Sequence, residues 1–172
     1  MKLEFCNACG GKLNAGKHGA FKCDKCHRVH YANPKPAVGI FLFTAEGQVV
    51  LSVRSREPEK GKLDILGGFV DLNESLEEAL YRELDEEAGL VPDDISDVEY
   101  VGSAVNYYKW GEDNLPTLTM YYKGVLIKQI NEGFDDVASI EYLAPSSVKV
   151  SDVAWPPIFE MLQLIIESGA AV

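Results

Sequence analysis

A chain of 172 residues, 47% of them apolar, can bury one sizeable core plus a small appendage, so one main domain is expected. A formal charge of −11 excludes tight, non-specific association with long nucleic acid or an anionic membrane, yet admits a nucleotide whose repulsion a metal ion masks. No apolar run reaches the roughly 18 residues of a spanning helix, and the start MKLEFCNACG lacks the apolar centre of a signal peptide, which makes the cytoplasm the default compartment.

All four cysteines fall within the first 26 residues, as Cys6-x2-Cys9 and Cys23-x2-Cys26. Each pair can form a knuckle offering two thiolates, and a hairpin between the knuckles brings them together, the pattern of a tetrahedral Zn²⁺ site. Disulfides are disfavoured in an intracellular chain. Four thiolates leave no vacancy for His27 or His30, which are expected on the ribbon surface or at its junction. A ribbon over residues 1–32 is too small for an apolar core of its own, so its metal is read as structural. Lys12, Lys17, His18, Lys22, Lys25 and Arg28 make the segment locally basic, and a docking surface for a phosphate-bearing partner is the competing reading.

Tyr31 to Pro36 reads as an extended linker, because each proline biases its predecessor away from helix. Ala37 to Thr44 reads as a buried strand, Glu46-Gly47 as a turn and Gln48 to Arg54 as the partner strand of a hairpin. Ser55 to Lys62 is a polar loop, and Leu63 to Leu66 leads into Gly67 and Gly68.

From Gly68 to Leu90 the chain runs GFVDLNESLEEALYRELDEEAGL. Asn73 or Ser75 is placed to cap a helix of roughly fourteen residues, Glu77 and Glu78 suit its first turn, and Gly89 is a natural stop. Glu83, Glu86 and Glu87 stand at i, i+3 and i+4, so three carboxylates leave one side of consecutive turns. At about 100° per residue, Glu83 and Glu87 share the arc of Leu76, Leu80 and Leu84, whereas Glu78 and Asp85 lie opposite. Acids that border a buried face need compensation, and hard oxygens select Mg²⁺ or Mn²⁺. An ordinary solvated face is the alternative.

Beyond the helix, Val91 to Asp97 reads as an acidic connection. Glu99 to Trp110 and Thr117 to Ile127 read as strands joined through Gly111 to Pro116. Tyr100, Tyr107, Tyr108, Trp110, Tyr121 and Tyr122 are concentrated there, as core residues or as a wall on which a base stacks. Asn131 to Asp136 is a second acidic loop before a short strand, Val137 to Leu143. Pro145 to Trp155 is a connection, and Pro156-Pro157 opens a last helix whose Ile158, Met161, Leu162, Ile165 and Ile166 recur at helical spacing.

The stretch from Gly68 to Leu90 resembles the signature of the Nudix hydrolases, G-x5-E-x7-R-E-U-x-E-E-x-G-U with U aliphatic. Gly68, Glu74, Arg82, Glu83, Leu84, Glu86, Glu87, Gly89 and Leu90 occupy every fixed position. The resemblance implies an α+β fold, an α/β/α sandwich around a mixed sheet, over residues 33–172. It also implies Mg²⁺- or Mn²⁺-dependent hydrolysis of a nucleoside diphosphate derivative. Glu83, Glu86 and Glu87 would hold the ions with the Gly68 carbonyl, Glu74 and Arg82 would brace the loop against the helix, and Gly67 and Gly68 would approach substrate. Asp136 or Glu132 would add a carboxylate for metal or as base, after Glu86 or Glu87. Tyr107 and Tyr108 stand about where some family members carry a substrate tyrosine.

The order of parts, a four-cysteine ribbon, then YANPKPAVG, then the signature, resembles the NADH pyrophosphatase branch, whose members also act on NAD-capped RNA ends. That branch carries S-Q-P-W-P-F-P-x-S soon after the signature, and this chain does not. NADH, ADP-ribose and dinucleoside polyphosphates therefore all stay open, with a capped RNA end and a homodimer as further expectations. A domain that has lost catalysis and senses a nucleotide is the reading from another class.

Overall fold

The computed structural model describes residues 3–169, with Trp110 described for its backbone alone, so the stacking role considered for that indole lies outside the described residues. The cysteine-rich segment forms an antiparallel sheet of β1 (Leu13–Ala15), β2 (Ala20–Cys23) and β3 (Val29–Tyr31). Leu13 pairs with Cys23 and Phe21 with His30. Since side chains alternate along a strand, Leu13 and Cys23 share one face, where they and Cys6 are buried together. A cluster this small cannot offset the entropy of ordering the segment.

The remaining strands form a six-stranded mixed sheet. These are β4 (Lys35–Phe43), β5 (Val49–Arg54), β6 (Leu63–Asp64), β7 (Ile95–Trp110), β8 (Asp113–Leu126) and β9 (Val137–Leu143), in the order β6-β5-β4-β8-β7 with β9 against β5. β4 and β8 run parallel from Lys35–Thr117 to Phe43–Val125, and the other ladders are antiparallel.

β4 reads as an unbroken apolar run because both of its faces are covered. Val38, Ile40 and Leu42 pack with Leu80 and Leu84 of α1 (Leu76–Ala88), whereas Phe41 and Phe43 pack with Ile158, Leu162 and Ile165 of α2 (Pro156–Glu167). One helix lies on each side, giving the expected α/β/α layers. Of the expected α2 face, Met161 and Ile166 are only partly buried.

Three strands start two or more residues earlier than the sequence reading placed them. β4 begins at Lys35, so the linker is shorter and Pro36 lies at the second rung of the ladder. β7 starts at Ile95 rather than Glu99, with its register shifted between Ser96 and Glu99, where Asp97 takes a positive φ. β8 starts at Asp113, so the connection shrinks to Gly111 and Glu112. Pro116 sits opposite Tyr107, beyond the last rung to β4, where β8 is an outer strand on that side and a missing N–H is tolerated.

Candidate active site

The carboxylate helix is set by its caps. Ser75, not Asn73, is the N-cap: its Oγ accepts from Glu78 N at 3.2 Å while Glu78 Oε2 accepts from Ser75 N at 2.7 Å. This reciprocal pair satisfies two donors that a helix start leaves unpaired. Gly89 ends α1 in the left-handed conformation, its N–H returning to Asp85 O. Because Leu80 and Leu84 must face the sheet, Glu87 is carried inward with them and is 7% exposed. Glu78 and Asp85 face solvent, as the wheel required.

Each acid of the helix is held differently. Glu87 Oε2 accepts from Gly67 N at 2.8 Å. Burial pushes its carboxyl up to about 9 against that hydrogen bond, aided by the nearby Asp136 and Glu83 carboxylates. Glu83, also raised by burial, and the more exposed Glu86 both accept from Arg82 Nη1, at 2.9 and 3.1 Å. Glu74 receives Arg82 Nε and Nη2 at 3.1 and 2.7 Å, and this pairing holds its carboxyl below the usual range. Arg82 Nη2 also donates to Phe69 O at 3.0 Å, so the guanidinium ties the loop to α1.

The two glycines allow this closeness. Gly67 has φ +142°, and a Cβ there would strike the Val38 carbonyl, while a Cβ on Gly68 would strike the Glu83 carboxylate. The Gly68 carbonyl, expected as a metal ligand, already accepts from Val38 N at 2.9 Å.

The sheet brings further groups to the same place. A cavity of about 320 Å³ is lined by Glu83, Glu86, Glu87 and Asp136 and also by Phe69, Tyr108 and Trp155. Tyr108 stands edge-on to Phe69 and tilted against Trp155, with ring centroids 5.7 Å apart in each case. Asp136 is gripped by Arg56 at 3.2 Å. Glu132 is exposed and not part of the lining. Tyr107, expected beside Tyr108, is 63% exposed and outside the cavity. Adjacent strand residues point to opposite faces, so a Tyr-Tyr pair offers one of its rings to each side.

The sequence reading missed Arg54, Asp64 and Trp155. Arg54 Nη1 and Asp64 Oδ2 form an ion pair at 2.7 Å, buried at the ends of β5 and β6, and the Arg54 guanidinium lies 4.7 Å from the centre of the Trp155 ring. Burial pushes Asp64 up to about 6, opposed by Arg54 and the Ile65 N–H. The signal was a charge of each sign inside apolar strands, VVLSVR and LDIL, which needs a buried partner.

In the N-terminal sheet the four thiols are free, with Sγ atoms all within 4.8 Å of one another. Cys26 N donates to Cys23 Sγ at 3.4 Å and, as the leading cause, pulls that thiol down to about 6. Compact soft donors of this kind fit Zn²⁺. His27 is exposed, as expected. His30 is half-buried, and its Nε2 lies 3.2 Å from Cys6 Sγ. Among the described residues, the carboxylates form no set as tight as the thiols: Arg82 Nη1 bridges Glu83 and Glu86, while Glu87 turns to the Gly67 N–H. Four oxygen donors around one cavity, with Glu87 short of compensation, fit a hard divalent ion.

Residues 33–164 match the family model described as NUDIX domain. Two curated relatives bear the name NAD-capped RNA hydrolase NudC, from Vibrio parahaemolyticus (32% identical over 105 residues, 60% of this chain and 38% of that protein) and Pseudomonas aeruginosa (32% over 101 residues, 58% and 34%). The chain thus matches little more than a third of the length of those relatives. The crystal structure of a NUDIX hydrolase from Nitrosomonas europaea superposes with a TM-score of 0.69 at 27% identity, over 96% of this chain and 92% of that one. The NUDIX domain of Shewanella oneidensis NrtR, solved with ADP ribose, shares the fold with a TM-score of 0.61 at 24% identity, over 81% and 89%. With its signature intact on α1 and that family's model spanning most of its length, the chain belongs to the NUDIX family.

Proposed function

We propose that this protein is a divalent-metal-dependent hydrolase that cleaves the diphosphate linkage of a nucleoside diphosphate derivative. One observation carries the reading: a single cavity is lined both by acids from α1 and the Asp136 loop and by aromatic rings. That is the combination a nucleotide needs, acids to hold ions for its phosphates and a flat ring to meet its base.

Glu83, Glu86, Glu87 and Asp136 would hold Mg²⁺ or Mn²⁺, which when bound supplies Lewis acidity toward the diphosphate. Glu86 or Glu87 takes the proton from the attacking water, with Asp136 as the second choice. Arg82 and Glu74 fix the loop, so the Gly67 N–H stays aimed at Glu87. Tyr108, Phe69 and Trp155 position the base and keep water from it.

The relatives named NAD-capped RNA hydrolase favour a dinucleotide or a nucleotide-capped RNA end among the substrates. The reading includes a structural Zn²⁺ held by Cys6, Cys9, Cys23 and Cys26 in a ribbon over residues 1–32, with the hydrolase domain at 33–172. It also includes a homodimer in the cytoplasm. The test is a Mg²⁺- and Mn²⁺-dependent screen, read by chromatography of the nucleotide products, for release of AMP or another nucleotide from NADH, ADP-ribose, dinucleoside polyphosphates and NAD-capped RNA. Release from at least one is expected. Binding without release from any of them would turn the reading into a nucleotide sensor.

A further inference from the structure

Resting on that reading, we propose that Arg54, neutralised by Asp64 and packed on Trp155, forms a ring-reading subsite. It donates a hydrogen bond to a neutral acceptor, a carbonyl oxygen or ring nitrogen, on the planar base of the substrate.

Arg54 closes β5 and is 8% exposed. Three contacts fix its guanidinium: Nε donates to Pro58 O at 2.8 Å, Nη1 donates to Asp64 Oδ2 at 2.7 Å, and Cζ lies 4.7 Å from the Trp155 ring centre. Nη2 is buried and, among the described residues, has no hydrogen-bond partner. Native proteins rarely leave a buried donor unpaired, and a fixed guanidinium cannot swing out to water to relieve it. Arg54, Asp64 and Trp155 all line the cavity, as does Tyr108, whose ring lies against Trp155. The missing acceptor is therefore one that the occupant of the cavity brings.

The chemistry of that acceptor follows from the pairing. Asp64 is itself fixed, its Oδ1 accepting from Ile65 N at 2.9 Å, and it cancels the charge of Arg54. A neutralised guanidinium gives little to a phosphate anion but keeps its directional N–H groups. Arg56 pairs with the Asp135 and Asp136 carboxylates at 3.8 and 3.2 Å, but its side chain is 61% exposed, so water screens those pairs and its guanidinium is the freer of the two to turn to a phosphate. The aromatic surroundings of Arg54 also suit a ring, since guanidinium and indole both stack on planar π-systems.

The test compares adenosine diphosphate, which has a ring, with inorganic pyrophosphate, which has none. Binding of each is measured by calorimetry with Mg²⁺ present, alongside tryptophan fluorescence. Arg54→Lys keeps a cation beside Asp64 but loses the planar second nitrogen. It is expected to weaken adenosine diphosphate roughly tenfold or more, the usual scale for one charge-assisted hydrogen bond, and to leave pyrophosphate unchanged. The double variant Arg54→Met/Asp64→Asn leaves no buried lone charge and, checked for folding by circular dichroism, is expected to show the same selective loss.

An equal loss for both compounds would overturn the inference by making Arg54 a phosphate ligand. No change for either, in both variants, would overturn it by showing that Nη2 needs no substrate. Wild-type protein that bound pyrophosphate but not adenosine diphosphate would overturn the ring subsite alone, whereas binding of neither would remove the proposed function with it.

Discussion

Two clusters of metal-type donors sit in this chain, and they are built in opposite ways. The thiols of Cys6, Cys9, Cys23 and Cys26 lie within 4.8 Å of one another on short turns with almost no apolar burial beneath them. The carboxylates of Glu83, Glu86 and Glu87 stand on a capped helix pressed onto a sheet, each already held by a protein donor, Arg82 or the Gly67 N–H. In the first region the ligands are the core, so the proposed ion would make the fold. In the second the fold is complete without an ion, and the site borders a cavity.

The sharpest way to break this contrast is to disable each cluster separately. Glu87→Gln keeps an acceptor for the Gly67 N–H and copies the protonated form that burial favours. Hydrolysis is expected to fall by roughly 10²–10³-fold or more, with the metal-free melting temperature at neutral pH held or raised. Normal turnover in steady-state assays would remove Glu87 from the chemistry.

Next in size is removal of the proposed zinc. A strong chelator is expected to abolish amide protection in β1–β3 while β4–β9 keep theirs, because apparent zinc binding of about 10–16 kcal/mol is the folding energy of such modules. Hydrogen exchange followed by mass spectrometry reads this directly, and loss of protection throughout would mean that the two regions share one core.

His30 sharpens the same side of the comparison. Its ring touches Cys6 Sγ, so His30→Ala is expected to weaken zinc affinity by roughly 10–100-fold in a chelator competition without altering the ligand set. On the other side, Arg82→Met removes the bracket between Glu74, Glu83, Glu86 and the Phe69 carbonyl. Partial exposure moderates the cost, so urea denaturation is expected to show a loss of about 1–2 kcal/mol.

A pH slope tests the same carboxylate from another direction. Glu87 has a folded value near 9, above its ordinary 4.5, so between these pH values the native state holds a proton that the unfolded chain has released. Metal-free stability should therefore fall as pH rises through that window. Melting curves from pH 5 to 9 should show the decline, and both Glu87→Gln and saturating Mg²⁺ should flatten it. A slope unchanged in the variant would assign it to another group.

Much of this was legible because it rests on local rules. The cysteine spacing, the Ser75 cap, the Gly89 stop and the i, i+3, i+4 acids all depend on neighbours a few residues away, where helix and turn geometry fix the outcome. Even the burial of Glu87 could be read from its place on the leucine arc. What failed was long-range. Tyr107 and Tyr108 are indistinguishable until the pleat of β7 is set against β8, and the contact of His30 with Cys6 depends on the register of β3 on β2. The early starts of β7 and β8 likewise follow from their pairing with each other rather than from propensity.

The sequence by itself determined the helix, its metal-type acids, the thiol set and the alternation that gives the sheet two buried faces. Only the tertiary structure decided that Asp136 meets Glu87, that Arg54 finds Asp64 and Trp155, and that Tyr108 rather than Tyr107 enters the cavity. The physical reason is that a helix or turn closes its hydrogen bonds within a few residues, while a cavity is the space left between elements distant in sequence. Its lining follows from strand order, register and packing angle together.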